Sequence, residues 1–115
     1  MQTYDWAAIE KEQMNPLFAR KVIHAENMTL ARVFLKKNCF VPEHSHVNEQ
    51  VCVMVEGRLR FAFADGEAII GPGQVLRIPP DVPHSAEALE DSIAFDLFSP
   101  PREDWIRGDD AYLRK

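Results

Sequence analysis

Short strand-like segments separated by turn residues run from Phe18 to about residue 100, and this pattern constrains the fold more than any other feature. The segments 30–37, 50–57, 58–66 and 92–98 are rich in β-forming residues or alternate apolar side chains, and 58–66 closes with a hairpin-turn signal, Asp65-Gly66. No long amphipathic helix interrupts them. Turns spaced about 8–12 residues apart indicate an all-β antiparallel sandwich or small barrel.

The two ends of the chain differ from this pattern. Residues 5–13, "DWAAIEKEQ", predict one or two short helical turns, and "REDWIRG" after two prolines predicts a short C-terminal helix over about 101–108. No internal repeat, low-complexity segment or linker divides the chain. We therefore expect a single domain over 1–115, with the barrel over about 18–100.

Charge and hydropathy exclude several classes of partner. The formal net charge is −5, and no run of basic residues exceeds two, which argues against nucleic acid. The longest apolar run, 51–55, is too short to span a membrane. The N-terminus lacks the basic-then-apolar pattern of a secretory signal, and two cysteines in such a chain are more often reduced. We expect a cytoplasmic protein.

Histidines are concentrated in "PEHSHVNEQ", residues 42–50. If this stretch is extended, His44 and His46 lie on one face and can share a cation, although an H-x-H pair alone more often binds nothing. Gln50 opens the next strand, on the face of Cys52 and Met54. Far downstream, His84 follows the proline-rich "IPPDVP", which stiffens the turn that presents it.

These residues resemble the two motifs of the cupins. The first motif, G-x5-H-x-H-x3,4-E-x6-G, corresponds to Asn38, His44, His46, Gln50 and Gly57. The second motif, G-x5-P-x-G-x2-H-x3-N, corresponds to Gly73, Pro79, Asp81, His84 and Ala88. The resemblance implies a single-domain cupin β-barrel, a jelly-roll-like double-stranded β-helix, with short helical segments at the N- and C-termini. Asn38 replaces a motif glycine but tolerates the left-handed conformation of such turns.

The resemblance implies that His44, His46, Gln50 and His84 hold one divalent transition metal, with Glu49 as a rival for the fourth position. The motif spacing and the strand alternation both favour Gln50. A mixed nitrogen and oxygen set suits Zn, Ni, Mn, Fe or Co. Three neutral imidazoles and a neutral amide leave the metal at a formal +2, so a bound anion is its natural complement.

A second group of residues follows on the strand "SIAFDLF". Asp96 interrupts an otherwise apolar strand and shares a face with Phe98. Two interpretations are open. In the first, Asp96 has no catalytic role, and it either faces solvent or forms a structural pair with Arg102. In the second, Asp96 and Phe98 point into the barrel mouth near the metal, and Arg102 reaches over the rim.

The stretches "HSHVNEQ", "PPDVPHSAEALEDS" and "DLFSPPREDW" resemble the pectin-degradation branch of the cupins, which opens 4,5-unsaturated uronate monosaccharides to linear keto forms. In that branch three His and a Gln hold the metal, and a D-x-F-x3-R group acts in catalysis, matching Asp96, Phe98 and Arg102. The implied roles are proton transfer for Asp96, pocket shaping for Phe98 and carboxylate binding for Arg102. Val47 and Asn48 replace the common Pro and His of the branch.

Two other functions compete with uronate linearisation, an iron-dependent cupin dioxygenase and a non-catalytic sugar-binding module. The expected partner in the preferred interpretation is a small anionic sugar. Val51, Val53 and Val55 would form an apolar outer face, which favours a homodimer. We interpret His24 as structural or exposed, and Arg60 as a weak candidate for substrate contact.

Overall fold

The computed structural model describes residues 1–115 as ten strands in two antiparallel sheets, with three short helical segments. The strands are β1 (Glu12–Asn15), β2 (Phe18–His24), β3 (Thr29–Leu35), β4 (Phe40–His44), β5 (Glu49–Glu56), β6 (Leu59–Phe63), β7 (Gly66–Ile70), β8 (Val75–Ile78), β9 (His84–Ala88) and β10 (Ser92–Ser99). The helical segments are the 3-10 turn Trp6–Ala8, the helix α1 (Glu103–Arg107) and the 3-10 turn Ala111–Leu113. The all-β prediction is confirmed.

The larger sheet has the order β1-β2-β3-β10-β5-β8, and the smaller sheet has the order β4-β9-β6-β7. Strand alternation places one face of each sheet in a shared core. In β5, Gln50, Cys52 and Met54 are buried, whereas Val55 on the opposite face is exposed, so the predicted alternation of this strand is correct. Phe18, Val33, Leu35, Leu59, Phe61 and Ile78 are among the core side chains.

The hairpin predicted near residue 65 joins β6 to β7. Phe63 pairs with Gly66, so the two-residue loop consists of Ala64 and Asp65, one residue earlier than the Asp65-Gly66 signal suggests. Gly66 has φ +145°, a conformation that residues with a side chain rarely adopt.

The N-terminal prediction is only partly correct. Trp6–Ala8 forms a 3-10 turn, but Glu12–Asn15 is a strand rather than a helical turn. Pairing with β2 decides the conformation, because Met14 is buried in the core and Glu12 forms an ion pair with Arg20. At the other end, α1 lies within the predicted 101–108 and ends at Gly108, which has φ +84°.

The helical segments are all short. None has the length and apolar character that crossing a membrane requires.

Candidate metal centre

Three histidines converge at one end of the barrel. His44 ends β4 and His84 begins β9, and these two residues are directly paired across the antiparallel ladder. His46 lies in the loop after β4, not in the strand as the H-x-H argument assumed, and its ring centroid is 5.2 Å from that of His84. The candidate ligand atoms of the three residues all lie within 4.8 Å of one another, so they could hold a metal ion.

Backbone carbonyls orient all three imidazoles. Nδ1 of His44 lies 2.8 Å from the Pro42 carbonyl, and Nδ1 of His84 lies 2.8 Å from the Val82 carbonyl. Nδ1 of His46 lies 3.0 Å from the Asn48 carbonyl. Because a carbonyl only accepts, each Nδ1 carries the proton and each Nε2 presents a lone pair, which is the arrangement that metal-binding histidines use.

Gln50 completes a fourth side of the cluster. Its Nε2 donates to Oδ1 of Asp96 at 3.2 Å, which turns its Oε1 towards Nε2 of His46, 3.0 Å away. Because Nδ1 of His46 carries the proton, both Nε2 of His46 and Oε1 of Gln50 are hydrogen-bond acceptors, and no hydrogen lies between them. A cation shared by both lone pairs removes the conflict, so these residues fit a divalent metal.

Glu49, the rival for the fourth position, lies on the other face of β5. Its carboxylate pairs with Arg77 of the neighbouring strand β8, and both side chains are largely exposed. The strand alternation that favoured Gln50 therefore places Glu49 away from the histidines.

Burial keeps the three imidazoles neutral. It lowers the pKa of His44 to about 4, with further contributions from the charges of the neighbouring histidines and Arg102. Burial followed by the Arg102 charge lowers the pKa of His46, and burial is also the largest cause of the lowered pKa of His84. At neutral pH the lone pairs that would bind a metal are therefore available.

Asp96 lies on the inner face of β10, opposite Cys52 of β5, and lines the cavity beside the histidines. Burial raises the pKa of Asp96 to about 6, although hydrogen bonds from Cys52 and Gln50 oppose the shift. Its carboxylate makes no hydrogen bond with Arg102. Asp96 therefore neither faces solvent nor pairs with Arg102, so the first interpretation of this residue is wrong.

Arg102 lies inside the wall of the cavity and not over its rim, since only 1% of its surface is exposed. Its Nε and Nη2 donate to the carboxylate of Asp104 at 2.9 and 2.7 Å, and Nη2 also donates to the Tyr112 hydroxyl at 2.7 Å. The guanidinium stacks over Phe98 and Trp105, 4.7 and 4.4 Å from the ring centroids. Of its three nitrogens, only Nη1 has no protein partner.

Phe98 is a buried spacer between the histidines and the C-terminal helix. Its ring centroid lies 5.6 Å from that of His46 and 5.1 Å from that of Trp105, with steeply inclined ring planes in both pairs. Phe98 therefore backs His46 with an apolar surface and supports the guanidinium of Arg102.

The cavity between these walls has a volume of about 60 Å³, measured as the space open to the centres of water-sized spheres. Most of its lining is apolar, and its polar side chains contact one another: His44 packs against His84 and Tyr112, Gln50 binds Asp96, and Arg102 binds Tyr112. The polar lining residues are His44, Gln50, His84, Asp96, Arg102 and Tyr112. An apolar pocket with a few convergent polar groups is typical of small-molecule sites.

Sequence reasoning missed two residues of this site. Asn48, noted only as a departure from the branch, is buried; its side-chain amide donates to the carbonyls of Pro100 and Pro101, and its own carbonyl binds His46. Tyr112 stacks on His44 with 4.8 Å between ring centroids. No sequence signal indicated either, because both contacts join segments that are distant in the chain.

Two other candidates lie away from the site. His24 contacts the Thr29 hydroxyl through Nδ1 at 2.8 Å, which agrees with a structural role. Arg60 pairs with Glu87 on the adjacent strand while Leu59 and Phe61 point inward, so it does not face the cavity. Cys39 and Cys52 are buried and unpaired by a disulfide.

Comparison with known proteins agrees with this geometry. The sequence pattern of the family described as "Cupin domain" matches residues 31–99, more than half of the chain. The protein therefore belongs to the cupin domain family. No curated protein matches it in sequence.

Solved structures add detail to this assignment. The structure of KdgF from Halomonas sp. is 25% identical, with a TM-score of 0.83 over 90% of this chain and 99% of that one. An RmlC-like cupin from Shewanella frigidimarina is 24% identical, with a TM-score of 0.84 over 91% of this chain and 96% of that one. Oxalate decarboxylase from Bacillus subtilis, studied for its Mn(II) centres, is 18% identical, with a TM-score of 0.76 over 84% of this chain and 29% of that one. The last two likenesses establish the fold alone.

Proposed function

We propose that this protein is a metal-dependent enzyme that linearises 4,5-unsaturated uronate monosaccharides released from pectin or alginate. The observation that carries the proposal is the neutral amide of Gln50, held between the histidine cluster and the half-buried carboxyl of Asp96. This arrangement joins a candidate metal site to a proton-transfer group in one cavity.

Charge favours an anionic ligand at this centre. His44, His46, His84 and Gln50 contribute no negative charge, so they would leave a divalent metal uncompensated. The Arg102 guanidinium adds a positive charge close enough to lower the pKa of all three histidines. A sugar carboxylate supplies the missing negative charge.

Linearisation needs no redox partner. The bond between the anomeric carbon and the ring oxygen breaks, the anomeric hydroxyl loses a proton as the aldehyde forms, and the enol carbon gains a proton as the ketone forms. A bound metal supplies Lewis acidity for the developing charge. Asp96 moves the proton from the hydroxyl to the carbon, Nη1 of Arg102 contacts the carboxylate, and Phe98 keeps water from one side.

The comparisons support this proposal at the level of a related structure. The structure of KdgF from Halomonas sp. matches nearly the whole chain and is 25% identical to it. The histidines, Gln50 and the D-x-F-x3-R group of this sequence are those that the resemblance to the pectin-degradation branch implies.

The direct test follows the absorbance of the conjugated double bond when metal-loaded protein is mixed with unsaturated galacturonate. We expect this absorbance to decrease faster than in the spontaneous reaction, and we expect no uptake of oxygen. Absence of any acceleration with Zn, Ni, Mn, Fe or Co would rule out linearisation. Substrate-dependent oxygen uptake with iron would instead indicate a dioxygenase.

Two adjacent substitutions test the role of the neutral ligand. Gln50→Glu places a carboxylate at the metal, so we expect KM for unsaturated galacturonate to rise by about tenfold as the attraction for the anion weakens. Glu49→Gln changes a charge on the outer face and serves as the matched control, with KM unchanged. Equal KM values for the two variants would contradict the charge argument.

We also propose that the outer face of the larger sheet mediates a homodimer. Val75 is 59% exposed and Val55 39% exposed, and they lie on neighbouring strands β8 and β5. Light scattering should give twice the monomer mass, and Val53→Glu on the same face should halve it. A monomeric wild type contradicts this proposal.

A cytoplasmic location is proposed on the state of the cysteines. Cys39 and Cys52 are both buried thiols without a disulfide, which suits a reducing compartment. Fractionation of cells that produce the full-length protein tests the location.

A further inference from the structure

We infer that Tyr112 contacts the substrate, its hydroxyl donating a hydrogen bond to an oxygen of the bound uronate. The inference rests on the proposed function, because it takes the ligand in the cavity to be a sugar acid. Tyr112 lies in the 3-10 turn Ala111–Leu113, beyond the 31–99 stretch that carries the family pattern. It thus adds a ligand-binding group from a part of the chain outside both histidine motifs.

The position of the ring brings Tyr112 to the metal end of the cavity. Its ring centroid lies 4.8 Å from that of His44, with 35° between the two planes. The side chain is half-buried and lines the cavity together with Arg102 and Leu113. A ligand bound through the histidine cluster would therefore lie beside Tyr112.

The hydrogen bonds of Tyr112 leave one donor unused. Its hydroxyl oxygen accepts from Nη2 of Arg102 at 2.7 Å, but its own hydrogen has no protein acceptor. Nη1 of Arg102 is likewise without a protein partner, so two adjacent donors are unused at this wall. A hydroxyl that already accepts from a cation is polarised towards donating, and an anionic oxygen is its best acceptor.

Contacts on either side of Tyr112 fix its position. Asp110 is buried in an ion pair with Arg20, and Leu113 is buried in the core. The Asn15 side chain donates to the carbonyls of Leu113 at 3.2 Å and Lys115 at 3.1 Å. The turn is therefore a fixed part of the cavity wall, and such preorganisation favours ligand binding.

The alternative is a purely structural tyrosine that packs on His44 and satisfies Arg102. Tyr112→Phe separates the two roles, because it keeps the ring and removes only the hydroxyl. Tyr4→Phe is the matched control, since Tyr4 is the only other tyrosine and is 52% exposed. Asp104→Asn loosens Arg102 from its other side without removing the Tyr112 hydroxyl.

The experiment measures the Kd of saturated galacturonate by calorimetry on Zn-loaded protein, and the KM of unsaturated galacturonate. Tyr112→Phe should raise both by about tenfold, the usual effect of one lost hydrogen bond to a charged group. Zinc content should stay unchanged, and Tyr4→Phe should match the wild type. Asp104→Asn should raise Kd by less than Tyr112→Phe does.

The outcomes separate this inference from the proposed function. If the wild type linearises the substrate and Tyr112→Phe leaves Kd and KM unchanged, or Asp104→Asn weakens binding as much, the Tyr112 contact is wrong and the function stands. If galacturonate binding depends on the Tyr112 hydroxyl but no linearisation occurs, the proposed function is wrong and the contact stands. A wild type that neither binds nor converts uronates overturns both.

Discussion

Two walls enclose the cavity, and different kinds of contact hold them in place. The histidine wall consists of His44, Gln50, His84 and Asp96, with His46 packed beside His44 and His84. The C-terminal wall consists of Arg102, Trp105, Tyr112 and Leu113. In the first, strand pairing and nearby carbonyls orient the side chains. In the second, side chains hold one another through stacking and ion pairs.

The residues that would bind a metal are thus held differently from those that anchor the end of the chain. The histidine wall has unused lone pairs that converge on one point, as a ligand-binding surface requires. In the C-terminal wall, Arg20 stacks on Trp105 at 4.4 Å and pairs with Asp110, which fastens the last turn of the chain to β2. Substitutions in the first wall should therefore change metal binding or turnover, and those behind the second should change the free energy of unfolding.

The largest effect is expected from His84→Ala, which removes a buried member of the histidine wall. Metal affinity should fall by more than about 100-fold, because even loss of an outer partner of a ligand typically costs 10–100-fold. Metal content after dialysis, measured by mass spectrometry, checks this. His24→Ala is the control, and equal metal retention by both variants would contradict the assignment of the cluster.

Asp96→Asn separates proton transfer from metal binding within the same wall. The amide keeps the size of the side chain but cannot carry the proton, so we expect kcat to fall by about 10²–10⁴-fold. Metal content should remain that of the wild type. Asp65→Asn, in an exposed turn, is the control, and a parallel loss of metal in the Asp96 variant would indicate a ligand-supporting role instead.

Arg20→Met tests the contacts behind the C-terminal wall. Removing one partner leaves Asp110, which is 2% exposed, with Arg114 as its remaining ion-pair partner. Breaking a buried pair typically costs about 3–5 kcal/mol of unfolding free energy, and we expect the lower end of this range. Urea unfolding measures it.

The matched control for Arg20→Met is Arg107→Gln, which removes a pair with Asp109 that is exposed on both sides. It should change stability by less than about 1 kcal/mol. Both variants should keep their metal. A metal-free Arg20→Met protein that is still fully folded would contradict the division between the walls.

The smallest effect concerns acid stability. Burial alone would raise the pKa of Asp110, but hydrogen bonds from Arg114 and Arg20 outweigh it and lower the pKa. This contribution to stability is present above the ordinary aspartate pKa of about 3.9 and disappears as the pH falls through the lower folded value. Comparing the unfolding of wild type and Asp110→Asn from pH 6 to pH 3 tests this, and the difference between them should shrink at the acid end. A constant difference would contradict it.

Motif spacing identified the three histidines that the structure brings together, although His46 lies in a loop and not on the strand face that alternation assumed. Alternation placed Gln50 on the inner face of β5, whereas for Asp96 it left a solvent-facing position open. Asn38 has φ +77°, the left-handed conformation expected for its turn. Asp81, at a motif glycine position, has φ +64°. The conformation of Asn38 was predicted from its residue type and motif position, whereas that of Asp81 was not predicted.

The C-terminal wall was not readable in this way. The partners of Arg102 are Asp104, which is near in sequence, and Tyr112, which a separate turn brings to it. The strand β1 was missed for the same reason, because pairing with β2 overrides a weak helical preference. Contacts between side chains that are distant in the sequence depend on the whole fold, so the spacing of apolar residues along the chain does not predict them.

Asn48 has a consequence for protein engineering. Its backbone carbonyl orients His46, while its side chain is fastened to the carbonyls of Pro100 and Pro101. Transferring the H-x-H loop alone into another barrel transfers the histidines but not the hydrogen bonds from Asn48 to Pro100 and Pro101. The recipient scaffold must also receive the chain from 100 to 101, since the loop and that segment form one transferable part.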